Sequence, residues 1–316
     1  MEGLMMNRPL SILSLLQFAA ANHAEARIVS KTGNGSLHSY TYADCYRRVS
    51  QLASALRTLG VAPGDRIATL AWNTHRHFEL YYAISGCGAV CHTINPRLAL
   101  GQIQYIINHA RDRLIFVDTS FVSLLEAIKG ETLHVEGIVV MCHANDMPST
   151  SLTNVHCFED LVCGHSDGFA WPDLDENTAS SLCYSSGTTG EPKGTLYSHR
   201  STVLHALAAC FPDNFGYSSN DTVLPLGAAF PRQCVGCPVF VSNGRSKPGF
   251  PRGKARCGLD FRFDGRSAGD LCAGRSYALG ATARVSADPS PKADNVEENH
   301  VWRLGRADRV DPGLSG

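Results

Sequence analysis

Along the chain, apolar residues recur first with the period of helices and then, in short runs, as buried strands do, and the alternation repeats. Leu10, Leu13, Leu16 and the stretch Phe18 to Ala20 share a helical spacing, which predicts a short N-terminal helix docked on the rest of the fold. From Tyr42 to Leu59 the residues Ala43, Tyr46, Val49, Leu52, Leu56 and Leu59 mark a second helix, and Gly60 stops it. The turn Pro63-Gly64-Asp65 leads into a strand at Arg66 to Leu70. His77 to Ser85 reads as a helix, Ala89 to His92 as a strand, and Gln102 to His109 with Leu114 to Val117 repeats the unit. Between about Tyr40 and Leu226 this repetition predicts a layered α/β domain whose parallel strands are joined by helical crossovers.

After about Phe230 the pattern ends. Gly, Arg, Pro, Ser, Asp and Cys dominate, and no window keeps a period of 2 or of 3.6 residues. Such a composition buries little apolar surface. The chain therefore divides into an α/β region, residues 1–230, and a tail, residues 231–316, expected to be disordered or translated out of frame.

Composition narrows the function. The chain has 316 residues, 44% of them hydrophobic, enough for a sizeable core. Lys and Arg number 28 against 29 Asp and Glu, a balance that gives no electrostatic drive toward nucleic acid or an anionic membrane. Small-molecule substrates are the expected partners. The 12 cysteines follow no regular spacing in a chain far longer than small secreted disulfide scaffolds, so reduced thiols and a cytoplasmic location are expected. Cys234 and Cys237 have metal-ligand spacing but no second pair follows them. The apolar run after Arg8 has the look of a short signal peptide, yet Gln17 interrupts it, and no stretch reaches the roughly 18 apolar residues of a membrane span.

The chemistry is concentrated in Ser181-Leu-Cys-Tyr-Ser-Ser-Gly-Thr-Thr-Gly-Glu-Pro-Lys-Gly194, where an apolar-leaning strand runs into hydroxyls, glycines and one lysine. Gly187 and Gly190 permit backbone conformations that turn N–H groups toward an anion. Ser185, Ser186, Thr188 and Thr189 add hydroxyl donors, and Lys193 adds a mobile positive charge. A triphosphate fits that set. A flexible Ser/Gly/Thr linker has a similar composition, but it needs neither a lysine fixed after Gly-Glu-Pro nor the helix-like run from Ser201 to Cys210 that follows. Pro192-Lys193-Gly194 does not supply the Gly-Lys-Ser/Thr of P-loop NTPases.

The segment closely resembles the phosphate-loop motif of the adenylate-forming (AMP-binding) superfamily, Tyr/Thr-Ser-Gly-Thr-Thr-Gly-x-Pro-Lys-Gly. Around it, Ala71-Trp-Asn-Thr-His-Arg-His-Phe-Glu-Leu-Tyr-Tyr82, Cys91-His-Thr-Ile-Asn-Pro-Arg-Leu98 and Leu196-Tyr-Ser-His-Arg-Ser-Thr202 are similar to the medium-chain fatty acyl-CoA synthetase branch. The resemblance runs from about Leu4 to Pro225. It implies a two-step ligase: a fatty-acid carboxylate attacks the α-phosphate of ATP to give an acyl-adenylate and pyrophosphate, and the thiol of coenzyme A then displaces AMP. It further implies that Ser185, Ser186, Gly187, Thr188, Thr189 and Gly190 wrap the β- and γ-phosphates, that Mg2+ shields them, and that Lys193 neutralises charge as pyrophosphate leaves. His75, His77 and His92 are expected to be packing or surface residues, and Trp72 with the pair Tyr81-Tyr82 to be core.

In relatives of this kind, a Leu-Pro such as Leu224-Pro225 is soon followed by Phe-His-Val-Asn-Ala-Trp-Gly, whereas here the chain reads Phe230-Pro-Arg-Gln-Cys-Val-Gly236. One permitted codon choice for Pro231 to Gly236, read one base later, encodes His-Val-Asn-Ala-Trp. The same shift applied to Pro238 to Asp264, Ser267 to Ala278 and Ala287 to Leu304 restores apolar periodicity. Residues from about Phe230 onward are therefore expected to be out-of-frame translation. On that reading the adenine-binding segment, the acidic magnesium ligand, the ribose-binding aspartate, the hinge and the C-terminal lysine domain of the resembled enzymes are missing. Two functions follow: an acyl-CoA synthetase fragment that is inactive as written, or a non-catalytic nucleotide-binding or scaffold protein.

Overall fold

A computed structural model describes residues 5, 7–32, 37–185, 191–214 and 219, and the backbone of 222–225 and 282–285. All of them belong to one compact unit, residues 1–285.

The chain opens with α1 (Ile12–Asn22) and a two-stranded antiparallel ribbon, β1 (Arg27–Lys31) with β2 (Leu37–Thr41). Then come α2 (Tyr42–Thr58), β3 (Arg66–Leu70), α3 (His75–Gly86), β4 (Val90–Thr93), α4 (Leu100–Ala110) and β5 (Asp112–Val117). After α5 (Val122–Ala127) follow β6 (Gly137–Val140), β7 (Val155–Cys157), α6 (Phe158–Cys163), β8 (Ala179–Ser185), β9 (Lys193–Ser198) and α7 (His199–Cys210). A separate ribbon pairs β10 (Thr222–Pro225) with β11 (Thr282–Val285) antiparallel, so the tail contains a strand that its composition does not predict. The rest of residues 231–316, Cys234 and Cys237 included, lies outside the described residues.

Seven strands form the main sheet in the order β7-β6-β5-β3-β4-β8-β9, and every neighbouring pair is parallel except β8 with β9. The central parallel strands β3, β4, β5 and β6 are buried on both faces, which is why β5 reads as the unbroken run Leu-Ile-Phe-Val. Leu114 and Phe116 join the layer that holds Leu16, Leu52, Leu56, Leu80, Phe158 and Val203, contributed by α1, α2, α3, α6 and α7. Ile115 and Val117 face the other way, onto Ile103, Ile106 and Ile107 of α4 and Leu125 of α5. The expected layered α/β arrangement is observed, with helices on both faces of the sheet.

Helix ends follow local chemistry. At the start of α2 the Thr41 hydroxyl accepts the Asp44 N–H at 3.1 Å while the Asp44 carboxylate accepts the Thr41 N–H at 3.2 Å, a reciprocal capping box. At its end the N–H groups of Gly60 and Val61 return to the carbonyls of Arg57 and Leu56, with Gly60 at φ +75°, a conformation that favours glycine. Thr41→Ala should destabilise the protein by about 1 kcal/mol, since one orphan N–H loses its acceptor. Urea denaturation of wild type and variant measures this, and an unchanged midpoint would show that the cap contributes nothing.

The helices over the first layer are pinned by charges as well as by apolar contact. Arg48 of α2 donates to Glu79 of α3 at 2.7 and 3.1 Å and to Glu159 of α6 at 3.0 and 3.3 Å. Arg76 of α3 reaches the same Glu159 at 2.6 Å and the Met141 carbonyl at 3.1 Å. The predicted docking helix α1 is held at its first turn, where the Leu10 N–H donates to Glu176 at 2.8 Å and the Ile12 N–H to Nδ1 of His199 at 3.3 Å.

Candidate phosphate-binding hairpin

β8 enters the sheet beside β4, with Cys91 opposite Ser181 and Thr93 opposite Cys183. The chain then reverses, and β9 returns antiparallel with Ser185 opposite Lys193 as the last pair. Because β8 runs in the same direction as the parallel strands, the connecting loop leaves at their carboxyl ends, where open α/β sheets bind ligands. The two residues with the most obvious phosphate chemistry at the loop's ends thus stand across from each other at its mouth.

The Ser185 hydroxyl lies 3.4 Å from the Lys193 carbonyl, to which it donates. Lys193 and Glu191 are exposed and Pro192 is buried between them. Among the described residues no carboxylate pairs with the Lys193 ammonium, which leaves its charge available to an anion. Ser186, Gly187, Thr188, Thr189 and Gly190 lie outside the described residues. The segment after Lys193 is strand before it is helix. α7 starts at His199, where the Ser198 hydroxyl accepts the Ser201 N–H at 3.1 Å.

Behind the hairpin lies a polar group that its sequence positions do not reveal. The Tyr184 hydroxyl is 2.7 Å from Nδ1 of His109 at the end of α4. The His92 ring of β4 packs 5.2 Å from the Tyr184 ring, and Nδ1 of His92 lies 2.7 and 2.9 Å from the two oxygens of Asp112, both side chains fully buried. Burial raises the Asp112 carboxyl above its ordinary value, and the His92 ring beside it works to lower it.

The other candidate residues fall into place as packing groups, with one exception. His75 and His77 are buried, the first beside Ser30 at 3.0 Å and the second bonded to the Trp72 carbonyl at 3.2 Å and the Thr69 hydroxyl at 3.1 Å. Tyr81 and Tyr82 are core. Trp72, expected in the core, is 40% exposed: its indole N–H donates to the Ser120 hydroxyl at 2.9 Å and its ring leans on Phe121. Among the described residues no three His, Cys, Asp or Glu side chains gather as metal ligands, and eight cysteines are free thiols. No helix among them is long and apolar enough to cross a membrane.

Residues 16–246 match the family model described as AMP-binding enzyme, well over half of the chain. The chain belongs to the AMP-binding enzyme family. It is 44% identical over 282 residues to a medium-chain-fatty-acid–CoA ligase of Ectopseudomonas oleovorans, an alignment covering 89% of this chain and 50% of that protein. It is 46% identical over 238 residues to a 3-methylmercaptopropionyl-CoA ligase of Ruegeria lacuscaerulensis, with 75% of this chain and 44% of the relative covered. The chain thus spans about half the length of the curated relatives it matches. In fold it superposes on the crystal structure of an anthranilate CoA ligase in complex with anthranoyl-AMP, with a TM-score of 0.63 at 22% identity over 74% of this chain and 44% of that one. Both the family match and the alignment with the first relative run past Pro225, where the resemblance legible in the sequence was expected to end.

Proposed function

We propose that this chain carries the phosphate-gripping part of an ATP-dependent fatty acyl-CoA ligase of the medium-chain branch. The observation that supports it is the placement of Ser185 and Lys193 opposite each other at the mouth of the loop, with the Lys193 charge unpaired among the described residues. In the reaction class to which the named relatives belong, a carboxylate oxygen attacks the α-phosphorus of ATP and pyrophosphate departs. The thiol of coenzyme A then attacks the acyl carbon and AMP departs. Ser185, Ser186, Gly187, Thr188, Thr189 and Gly190 bind the β- and γ-phosphates through hydroxyl and backbone donors, and Lys193 offsets the charge that builds on them. Mg2+ would shield the phosphate oxygens, as is usual for this ion.

We further propose that residues after about 230 are read out of frame and that the printed chain does not complete adenylation. The support is the His-Val-Asn-Ala-Trp encoded one base away from Pro231 to Gly236. Three measurements separate the claims. Purified chain given ATP, Mg2+ and a medium-chain fatty acid should release pyrophosphate only at background, and acyl-CoA formation would overturn the inactivity. A fluorescent ATP analogue should bind the same chain and be lost on Lys193→Ala; no binding by wild type would sink the phosphate reading. Sequencing the gene across codons 226 to 246 tests the frame directly, and confirmation of the printed frame overturns the shift.

A further inference from the structure

Tyr184 touches both stems of the phosphate loop. It directly precedes Ser185 in β8, and in the ladder it stands opposite Gly194, the neighbour of Lys193 in β9. Its ring covers that glycine closely enough that a Cβ at Gly194 would come within 3.1 Å of the Tyr184 Cζ and 3.3 Å of its hydroxyl oxygen. Leu182 lies as close to that glycine, 3.2 Å from the same Cβ position, and the Ser180 hydroxyl donates to the Tyr197 carbonyl at 3.0 Å, but Lys193, Gly194, Thr195 and Leu196 are all exposed and β9 is an edge strand with β8 as its one strand neighbour. An edge of that kind exchanges its hydrogen bonds by local opening unless a side chain locks it.

The lock is itself anchored. The Tyr184 hydroxyl is paired with His109 Nδ1 at 2.7 Å, and the His109 ring meets the phenol ring nearly at right angles. On the sheet side the His92 ring abuts Tyr184, and Asp112 at the start of β5 holds His92 through both of its carboxylate oxygens. The contacts thus run from the buried strands β4 and β5 and the end of α4 to one side chain of the hairpin. Burial, with the Asp112 charge adding to it, pushes the Tyr184 phenol up to about 12, so the hydroxyl keeps its proton across the ordinary pH range.

We propose that Tyr184 is a positioning residue for the phosphate loop, fixing the separation of Ser185 and Lys193 through its bond to His109 and its packing on the His92–Asp112 pair. The consequence for nucleotide rests on the phosphate-binding reading above; the hold on the hairpin does not.

The test uses the full chain as wild type, Tyr184→Phe, His109→Ala and the double variant. Tyr184→Phe keeps the ring and removes only the hydroxyl. Hydrogen exchange in peptides spanning residues 184–197 should quicken about three- to tenfold in each single variant, the factor expected for one lost hydrogen bond, while exchange in α2, β3 and β5 stays unchanged. The double variant should be no faster than the quicker single, because both remove the same bond. Affinity for a fluorescent ATP analogue should weaken by a similar factor. Unchanged exchange at the hairpin, or multiplied effects in the double variant, would overturn the proposal whatever the nucleotide does. If wild type fails to bind the analogue while exchange responds as described, the phosphate reading fails and the positioning role of Tyr184 on the hairpin stands.

Discussion

Acidification from pH 7 to pH 5 should remove on the order of 6 kcal/mol of stability through three buried histidines, a loss that two buried carboxyls partly offset. Burial lowers His75 to about 2, with the nearby His38, Arg76 and Arg48 adding to the effect, and burial lowers His77 and His199 to about 4. In the unfolded chain each returns to about 6.5. The unfolded state therefore binds more protons than the folded one between the two values. Stability from these groups is complete above about pH 6.5 and is lost as pH falls toward the folded values, by roughly 2 kcal/mol per histidine at pH 5. His199 shows the cause plainly: its Nδ1 accepts the Ile12 N–H, so the neutral ring carries its proton on Nε2, which is buried without an acceptor among the described residues. Glu79 and Asp112 oppose the trend, since burial raises both carboxyls against the pull of Arg48 and of His92, and such groups favour the folded state as pH falls. Replacing one histidine isolates its share. His77→Gln keeps partners for Thr69 and the Trp72 carbonyl, and it should flatten the loss between pH 7 and pH 5 by roughly 2 kcal/mol. Urea titrations at both pH values measure this, and equal slopes for wild type and His77→Gln would show that His77 does not titrate with folding.

The elements legible in the sequence were those whose apolar period is set by burial on one helix face or on both sheet faces. Tyr42 to Leu59 became α2, Arg66 to Leu70 became β3, and Leu114 to Val117 is most of β5. β9 was not legible because it lies at the edge with Leu196 61% exposed, so no buried alternation marks it. The ribbon of β1 and β2 failed for the same reason, its residues being exposed or half-buried apart from Tyr40. Nor does any local pattern announce that Arg48 meets Glu159, 111 positions away, or that Asp112 holds His92. Buried polar pairs are set by tertiary placement, and their members look like ordinary surface residues until the sheet order is known. Trp72 was misjudged: its indole N–H needs an acceptor, which it finds at Ser120 in the turn after β5 and not in the apolar layers. The phosphate segment was legible for the opposite reason. Its glycines, hydroxyls and lysine follow one another in a short stretch, so the chemistry proposed for them can be read from the linear order of residues.

In an enzyme whose frame is restored near codon 230, Lys193→Ala should slow adenylation about 30- to 1,000-fold while leaving fatty-acid affinity nearly unchanged. Lys193 stands opposite Ser185 as the last pair of the hairpin, exposed and unpaired among the described residues, and on the proposed reading its charge is directed at the phosphates and not at the acyl chain. Negative charge accumulates on the departing pyrophosphate as the bond to the α-phosphorus breaks, and a fixed cation there acts more strongly on the transition state than on bound ATP. One such contact in a desolvated site typically contributes about 2–4 kcal/mol, which is the stated range of rates. Thr188→Ala should act in the same direction with a smaller effect, because the backbone donors of the loop remain. Pyrophosphate release across a series of fatty-acid concentrations separates rate from affinity. A maximal rate that survives Lys193→Ala, with only the apparent KM for the acid raised, would place the lysine on the carboxylate substrate and remove it from the phosphates.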